Sequence, residues 1–458
     1  MERLAGSGKI MLTRQGIAVG MSACVVLGWL ACLSDVGGVE IRASQPGRTA
    51  VRSASATKSA LKSRVTHVQQ PVAEKAVLVE DAVFAEDNGV CEAACGPASC
   101  CADPCGGPPC NLFGGGLWVN LDFLLWWRDD RDLPALVTTT PNDGVVPGAT
   151  VLFGGPTDEQ ARPGGRLEVG VWLDPCQRTA IGGRYLAVAD ATMSPEWTSS
   201  DLSFIARPFT DVSTVPATPT AFSIANASAV PPTTGWIRAD TSSQVQAADA
   251  FFYWVLQRSP CASFGFQAGY QFARISEDLS MDSFTQIGGD IQSIAVTDLF
   301  DANNEFHGGH FALRGDYRCG RFGIEMLASF AFGNMRQTMA IAGSTTGTDA
   351  NGGTSVRDSG LLAQASTNGG LHAQDDFCFM DEAGIKLAFY PVERLKLSVG
   401  YSVMYWSSVV RPGNHIDTSV DGRLLTAMPA AGATRPAFAF DPTDYIVQGL
   451  NFGAEFRF

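Results

Sequence analysis

Two groups of histidine and carboxylate side chains have the chemistry to support catalysis. The first group is Asp301, Glu305, His307 and His310, and the second is His415 with Asp417. A histidine held by a carboxylate can act as a general acid or base, so a hydrolase site on an outer loop edge is one interpretation. The chain has no G-x-S-x-G or H-E-x-x-H motif, and polar rim positions explain the same residues. We therefore expect a protein that is not an enzyme and that binds no cofactor.

The elements that must carry these side chains are strands with one apolar and one polar face. In the last segment one side carries Leu450, Phe452, Ala454, Phe456 and Phe458, and the other carries Asn451, Glu455 and Arg457. Successive side chains of a strand point to opposite sides. In a closed membrane barrel the apolar side meets lipid and the polar side lines the lumen, so no second layer of protein is needed.

Ten segments show this alternation, and the connections between them are alternately long and short. The segments are 117–128, 166–173, 180–190, 245–258, 262–275, 307–317, 321–335, 379–390, 394–406 and 445–458. Tight turns are expected at 174–177, 259–261, 318–320 and 391–393, whereas the other connections run roughly 30 to 50 residues, far above hairpin length. Short periplasmic turns and long outer loops are typical of transmembrane antiparallel up-and-down barrels. The sequence predicts such a barrel with ten strands, or twelve if the loop 191–244 holds another hairpin.

Aromatic pairs near the predicted strand ends suggest interface girdles of the kind that flank an apolar belt. On the loop side these are Trp126 with Trp127 and Tyr405 with Trp406. A large soluble β-sandwich, acting as a secreted adhesin, is the alternative, but it does not explain four tight turns interleaved with long loops.

The alternation also selects charged side chains that should face the lumen. These are Asp122, Arg184, Arg314, Asp316, Glu325, Glu382, Lys386, Glu455 and Arg457. A ten-strand barrel is narrow, and isolated charges there would be costly, so we expect them to pair across the lumen. Two functions stay open: a narrow pore that selects ions through its charges, and a structural barrel filled by ion pairs.

The segment before the barrel has the features of an exported protein. Arg3, Lys9 and Arg14 precede an apolar run from Gly16 to Leu33, as in a secretory signal peptide. We expect a signal peptide at 1–43, a disordered basic linker at 44–90, a Cys-rich periplasmic segment at 91–110 and the barrel at 116–458. The linker could contact anionic lipid or cell-wall polymer, or it could be a solvated spacer.

Cysteines concentrate in one short stretch and in three turns. The disulfide candidates are Cys91, Cys95, Cys100, Cys101, Cys105, Cys110, Cys176, Cys261 and Cys319. In an exported chain such density indicates disulfides. The last three lie in tight turns that are expected on the same side as the Cys-rich segment. Two pairings stay open: a disulfide between this segment and a turn, and disulfides confined to the segment. A zinc site is the weaker reading, because paired C-x-x-C spacings and adjacent histidines are missing.

The bulk composition limits the partners. A net charge of −14 argues against nucleic acid, and 49 Gly with 27 Phe and 17% charged residues suits a barrel with large loops. The expected partners are outer-membrane lipid and the machinery that inserts barrels. The expected function is a structural or surface role in the cell envelope, or a narrow pore.

Several stretches resemble the putative beta barrel porin-seven family of bacterial outer-membrane proteins. They are Gly170 to Pro175, the block from Asp301 to Leu313, the run from Tyr401 to Asp417, and Gln448 to Gly453. The resemblance implies an outer-membrane barrel and assigns no substrate. The ending also looks like the C-terminal signal read by the outer-membrane assembly machinery, with Phe452, Phe456 and Phe458 as its aromatic residues.

Overall fold

The computed structural model describes residues 116–128, 131–157, 161–190, 192–288, 292–426 and 432–458. The expected signal peptide, linker and Cys-rich segment lie outside the described residues. Seventeen strands of the described part form one sheet. The strands are β1 (Leu117–Arg128), β2 (Arg131–Thr139), β3 (Thr150–Thr157), β4 (Arg162–Trp172), β5 (Thr179–Val188), β6 (Glu196–Thr198), β7 (Phe204–Asp211), β8 (Thr218–Asn226), β9 (Thr233–Arg258), β10 (Ala262–Ile287), β11 (Ser293–Cys319), β12 (Phe322–Thr348), β13 (Thr354–Arg357), β14 (Gly370–Val392), β15 (Leu395–Val409), β16 (Ser419–Val420) and β17 (Thr443–Arg457).

The strand pairings form a ring that closes on itself. Its order is β1, β4, β5, β9, β10, β11, β12, β14, β15 and β17, and β17 pairs back with β1. Every neighbouring pair in this ring is antiparallel. The sheet is therefore a closed barrel, and the prediction of an all-β antiparallel fold is confirmed.

The predicted count of ten strands, or twelve, is wrong for the sheet as a whole. The additional strands β2, β3, β6, β7, β8, β13 and β16 lie in stretches that the sequence analysis assigned to long loops. Their side chains explain the difference: Val137, Ile205 and Ile224 are fully buried in a hydrophobic core instead of lying in solvent. A loop that contributes to a core orders its backbone, and strand pairing then satisfies its polar groups.

Four ring strands are also much longer than expected. β9 and β10 have 26 residues each, and β11 and β12 have 27. The connection between β10 and β11, predicted as a long loop, covers only 288–292. A tilted strand crosses a bilayer with about 9–11 residues. These strands therefore continue well past the thickness of a membrane. We use the name extension for these continuations together with the seven additional strands.

Strand β10 shows where the barrel changes character. On its outward side Phe264, Phe266, Ala268, Tyr270 and Phe272 are followed by Arg274, Ser276, Asp278, Ser280 and Asp282. On its inward side the buried Gln267 and Gln271 are followed by the buried Ile275, Leu279 and Met281. The β10–β11 register continues without a bulge through this change. The strand therefore keeps its geometry while its apolar face moves from outside to inside between Phe272 and Ile275.

The same change occurs on neighbouring strands. Gln246, Arg274, Glu305, Arg336 and Asp375 are directly opposed in register across β9, β10, β11, β12 and β14. Arg274 Nε lies 3.7 Å from Glu305 Oε1. This outward polar row marks where the apolar belt ends on these strands. We call the part of the barrel between this row and the tight turns, which carries the apolar belt, the spanning part. The extension begins at the row.

The outward belt of the spanning part carries a ladder of aromatic rings. The rings of Phe252, Trp254, Phe266, Phe311 and Phe332 follow one another with centroid separations of 5.4, 6.2, 6.0 and 5.8 Å. The predicted loop-side girdle is wrong for Trp126 and Trp406, which are buried inside the barrel, and also for Tyr405, which is on the outward side but fully buried. In each adjacent pair the alternation allows only one residue to face outward.

Helical structure in the described residues consists of three short 3-10 helices, at Asn142–Gly144, Pro412–His415 and Gly422–Leu425. No helix of the described part is both long and apolar enough to cross a membrane.

Candidate functional site in the barrel interior

Charged side chains of adjacent strands meet on the inner face of the spanning part. Asp122 on β1 is directly opposed to Arg166 on β4, and Glu168 on β4 to Arg184 on β5. Arg184 is in turn opposed to Asp249 on β9, and its Nε donates to Asp249 Oδ2 at 2.7 Å. Opposite charges on neighbouring strands stabilise one another without leaving the wall.

Other ion pairs cross the lumen from one wall to the opposite one. Arg184 Nη1 on β5 lies 2.7 Å from Glu382 Oε2 on β14, which is on the far side of the ring. Both Nη atoms of Arg314 donate to the Glu168 carboxylate at 2.7 Å. Lys386 Nζ donates to both oxygens of Asp122 at 2.8 and 2.7 Å. These contacts span the interior, so the charges fill the lumen here instead of lining an open channel.

A tryptophan completes the Glu168 site, and a glycine makes room for it. Trp118 Nε1 donates to Glu168 Oε1 at 3.2 Å. A Cβ on Gly170 would lie 2.0 Å from a ring atom of Trp118, so only glycine leaves space for the indole at this position. Glu168 thereby receives donors from both Arg314 and Trp118, as a buried carboxylate requires.

The end of the barrel that carries the tight turns, which we call the turn end, opens into a cavity of about 450 Å³. Lys396 lies at this level and pairs with both Glu325 and Glu455, and Arg457 Nε donates to Glu455 Oε1 at 2.7 Å. The lining of the cavity extends inward as far as Asp122, Arg184 and Ser402, so it ends at the charge network.

An apolar layer closes the barrel beyond the charge network. Leu124, Phe306, Trp406 and Tyr445 are fully buried there, and every ring strand except β4 contributes a side chain to the cluster. Trp126 Nε1 donates to Asn451 Oδ1 at 2.8 Å, which ties the layer to the polar wall below it. Interiors packed in this way leave few voids larger than a water molecule.

Further ion pairs lie above this layer, inside the extension. Glu277 pairs with Arg128 and, at 3.3 Å, with Arg411. Arg207 Nη2 on β7 lies 2.6 Å from Asp298 Oδ2 on β11, and both side chains are fully buried. Asp298 also accepts hydrogen bonds from the backbone N–H groups of Leu362 and Ala363 at 2.9 and 2.7 Å. This pair therefore fixes an inserted strand and a folded loop to the barrel wall.

The structure places eight of the nine predicted lumen charges inside the spanning part, and Arg457 half exposed at the mouth. Asp316 lies beside Ser263, whose hydroxyl donates to it at 3.2 Å. The network also contains four residues that were not predicted from the sequence: Arg166, Glu168, Asp249 and Lys396. Arg166, Glu168 and Lys396 alternate along their strands with apolar residues that face the other side, so the alternation could have identified them. Asp249 precedes four consecutive aromatic residues, where the alternation gives no signal.

The first histidine group is not one cluster in the structure. His310 is buried in the interior on β11, whereas His307 is outward and its Nδ1 lies 2.5 Å from the hydroxyl of Tyr270. Asp301 and Glu305 are also on the outward side. The expected position at a loop edge is therefore wrong, because the long strand β11 separates these residues between two faces.

The second group also has structural partners. His415 Nδ1 donates to the carbonyl of Arg411 at 2.8 Å, and His415 Nε2 accepts from the N–H of Asp441 at 3.1 Å. Burial lowers the pKa of His415, consistent with a neutral ring. Asp417 receives the N–H groups of Ser419 and Ala437 and the guanidinium of Arg435. These donors outweigh burial and lower the pKa of Asp417.

Three of the cysteine candidates lie at the turn end. Cys261 and Cys319 are exposed free thiols, and Arg318 N donates to the carbonyl of Cys261 at 2.6 Å, so the two turns adjoin. No disulfide joins two cysteines of the described residues. The six cysteines at 91–110 lie outside this part, so a disulfide to a turn stays a prediction. In the same part of the chain, no group of His, Cys, Asp and Glu could hold a metal ion.

A closed antiparallel ring with charges inside and an apolar, aromatic belt outside defines an outer-membrane barrel. A family model described as "Putative beta barrel porin-7" matches residues 118–458. The chain belongs to this family, as its resemblance predicted, and it is a protein of the bacterial outer membrane.

Solved barrels show distant similarity to the chain. The outer membrane protease OmpT from Escherichia coli is 11% identical, with 76% of this chain and 98% of that chain covered and a TM-score of 0.36. The toluene transporter TodX from Pseudomonas putida is 10% identical, with 75% and 89% covered and a TM-score of 0.20. The translocator domain of the autotransporter NalP from Neisseria meningitidis is 10% identical, with 75% and 88% covered and a TM-score of 0.19. At these TM-scores the similarities support no conclusion about activity.

A search among curated proteins finds no match.

Proposed function

We propose that the protein is a non-conducting outer-membrane barrel whose spanning part anchors a folded extension at the cell surface. The observation that carries this proposal is the filled interior, in which ion pairs such as Arg184–Glu382 join opposite walls and an apolar layer lies directly above them. A pore needs a continuous polar path, and a packed apolar layer opposes the entry of ions.

The direction of the barrel is part of the proposal. The four tight turns and the ends of β1 and β17 lie at one end, as short periplasmic turns do, so the extension faces the outside of the cell. Its outward side is wet and polar, with Ser276, Asp278, Ser280 and Asp282 along β10. Such a surface suits contact between cells or with the surroundings, which is the surface role that we assign to it.

The proposal includes no catalytic role. A hydrolase built on the two histidine groups would need a free base next to a carboxylate. His307 and His310 face opposite sides of β11, and both ring nitrogens of His415 have backbone partners. Purified protein should therefore hydrolyse neither peptide nor ester nor phospholipid substrates, and a loss of measured hydrolysis in His310→Ala would contradict this.

The proposal also keeps a signal for the outer-membrane assembly machinery, formed by Phe452, Phe456 and Phe458. All three are exposed on the outward side, Phe456 and Phe458 at the turn end and Phe452 farther along β17. Phe458→Ala is expected to slow insertion in cells, measured as unfolded barrel on heat-modifiable gels. Leu371→Ala, at an exposed apolar position of β14 that lies in the extension, serves as the control and should insert normally.

Single-channel recording in a planar bilayer tests the main proposal. Protein whose folded state is verified by heat-modifiable gel mobility should insert and show no discrete openings at any voltage. An unrelated porin recorded in the same bilayers supplies the positive control. Steady openings of one size from the wild-type chain would show that a conducting path exists and would favour the narrow pore.

A further inference from the structure

The turn-end cavity contains a carboxylate that the charge network leaves without a cation. Asp316 is directly opposed to Glu325 on β12 and to Ser263 on β10, and the Ser263 hydroxyl donates to it at 3.2 Å. Lys396 pairs with Glu325, and no lysine or arginine of the described residues forms an ion pair with Asp316. Two carboxylates directly opposed on neighbouring strands repel each other. A positive charge bound beside Asp316 would therefore be stabilised.

A second acceptor in the lining of this cavity lacks a donor. The side chain of Asn120 is buried, with 7% of the residue exposed, and its Oδ1 has no hydrogen-bond partner in the described part of the chain. Its neighbours in register are Glu168 on β4 and Glu455 on β17, whose carboxylates can accept but not donate. Buried polar atoms are rarely left unpaired. The inner part of the cavity therefore offers acceptors to a ligand that carries N–H groups.

The rim of the cavity presents donors instead. Arg258 donates to two backbone carbonyls of the β4–β5 turn at 3.1 and 3.0 Å, and Arg318 Nε donates to the carbonyl of Gly320 at 3.0 Å. The guanidinium of Arg258 lies 5.9 Å from the ring centre of Trp172, and that of Arg318 lies 4.1 Å from the ring centre of Tyr390. Both arginines line the cavity, and aromatic contacts hold such groups in place for a planar carboxylate.

The register gives the spacing between the acceptor and these donors. Asp316 and Arg318 are two residues apart on the same side of β11, so their Cα atoms are about 7 Å apart. Arg258 is directly opposed to Ser263, and Ser263 to Asp316, which places Arg258 two strands away from Asp316, at about 10 Å. Two extended residues span about 7 Å. A dipeptide therefore has the length to reach from Asp316 to the rim.

The mixed charge of the lining selects the class of ligand. Glu325, Glu455 and the C-terminal Phe458 line the cavity together with the two arginines, so the lining carries both signs of charge. An anion alone would meet the inner carboxylates, and a cation alone would meet the guanidinium groups. A molecule with an ammonium group at one end and a carboxylate at the other meets an opposite charge at both ends.

We propose that the turn-end cavity binds a short zwitterionic peptide, with its ammonium group at Asp316 and its carboxylate at Arg258 and Arg318. The volume of about 450 Å³ is in the range of small-ligand sites. Asn120 Oδ1 is available to a backbone N–H of the peptide. The cavity ends at the charge network, so binding requires no passage through the barrel and does not depend on whether the barrel conducts.

Calorimetric titration of the full chain in lipid nanodiscs with three dipeptides tests the proposal. Alanyl-alanine carries both charges, its C-terminal amide carries only the ammonium group, and its N-acetyl form carries only the carboxylate. Wild type should bind alanyl-alanine saturably and each of the single-charge forms about tenfold more weakly, as expected for the loss of one charged hydrogen-bonded contact.

Two sets of variants separate the two ends of the ligand. Asp316→Asn should weaken the binding of alanyl-alanine and of its amide about tenfold, without weakening the N-acetyl form. Arg258→Gln with Arg318→Gln should weaken alanyl-alanine and the N-acetyl form, without weakening the amide. Asp240→Asn and Arg238→Gln, in an outward ion pair of the extension, are the matched controls and should change none of the three.

The crossed pattern distinguishes direct contact from a folding defect, which would weaken all three ligands together. Absence of saturable binding of alanyl-alanine to wild type would overturn the proposal. Equal weakening of the three ligands by either set of variants, in protein whose folding is verified by gel mobility, would also overturn it, because these side chains would then not orient the ligand.

Discussion

The spanning part and the extension are built from the same strands but bury opposite faces. On β10 the spanning part exposes Tyr270 and buries Gln271, and a few residues later the extension has a half-buried Asp278 on its outward side and buries Leu279. Strand geometry is the same in both regions. The difference teaches that the surrounding medium selects the apolar face: hydrocarbon outside the spanning part, and a protein core inside the extension.

The two regions also use charge differently. The spanning part holds a connected network of ion pairs around Glu168, Arg184 and Glu382. In the extension, by contrast, Arg207 and Asp298 form a single pair within an apolar core. In the network, losing one group leaves other partners for its neighbours. In the core, losing one group leaves its partner alone in an apolar environment.

The largest expected effect follows from this difference. Asp298→Ala leaves Arg207 buried without its partner and removes the acceptor of the Leu362 and Ala363 N–H groups, at a cost of about 3–5 kcal/mol. Limited proteolysis should then cut the extension, while heat-modifiable mobility should show the spanning part still folded. Asp301→Ala, at an exposed position of the same strand, should cost little. Simultaneous loss of both regions would show that they fold as one unit.

A second experiment moves one charge along the outward side of β10. Phe266→Arg places a cation in the apolar belt and should destabilise the barrel by about 2–4 kcal/mol in lipid vesicles. Ser280→Arg lies past the polar row and should change stability by less than about 0.5 kcal/mol. Equal costs in urea titrations would contradict the assigned boundary.

A third expected effect is a pH dependence of the stability of the extension. The pKa of Asp417 is lower in the folded protein than in the unfolded chain because of its donors at Ser419, Ala437 and Arg435. The ionised Asp417 therefore stabilises the folded state fully at pH values above its unfolded pKa of about 3.9, and this stabilisation is lost as the pH falls below that value. Protease resistance of the extension should decline below about pH 4. In Asp417→Asn this decline should be weaker, and an unchanged pH profile would exclude Asp417 as its source.

The smallest expected effect on stability concerns a carboxylate on the otherwise apolar outward side of the spanning part. Asp381 is on the outward side of β14, between Phe330 and Tyr405 in register, and neither carboxylate oxygen has a hydrogen-bond partner. A carboxylate at this depth costs free energy, so Asp381→Leu should stabilise the barrel in vesicles by about 1 kcal/mol. Asp375→Leu, in the polar row of the same strand, is the control. Destabilisation by Asp381→Leu would indicate a partner for this carboxylate.

The sequence predicts the spanning part better than the extension, for a physical reason. Over 119–123 in β1 and 450–457 in β17 apolar residues alternate with polar residues or glycine. Tight turns such as 259–261 follow from their length and their proline, so strands and turns could be located. In β9 the run Phe251 to Trp254 is aromatic on both sides, so Asp249 was not recognised as inward. Beyond Phe272 the alternation continues, but it cannot reveal that the apolar side has become the inner one.

The sequence predicts that charged residues face the interior, but it does not predict which of them pair. Alternation identifies an inward charge such as Asp122 or Glu382, yet the partner depends on the stagger of the ring, which brings β14 opposite β5. The buried Trp126 and Trp406 were misplaced because neighbouring aromatic residues look alike whichever one faces lipid. Contacts across a barrel are not local in sequence, so periodicity alone cannot assign them.

A nitroxide scan along the outward side of β10 tests most directly whether the apolar face changes sides. Spin labels at 266, 268, 270, 272, 276, 278, 280 and 282 in vesicles report collisions with oxygen, which concentrates in lipid, and with a water-soluble nickel chelate. Oxygen should dominate up to 272, and the nickel chelate from 276 onward. An oxygen-dominated profile through 282, or a nickel-dominated one already at 268, would show that the apolar face does not change sides between Phe272 and Ile275.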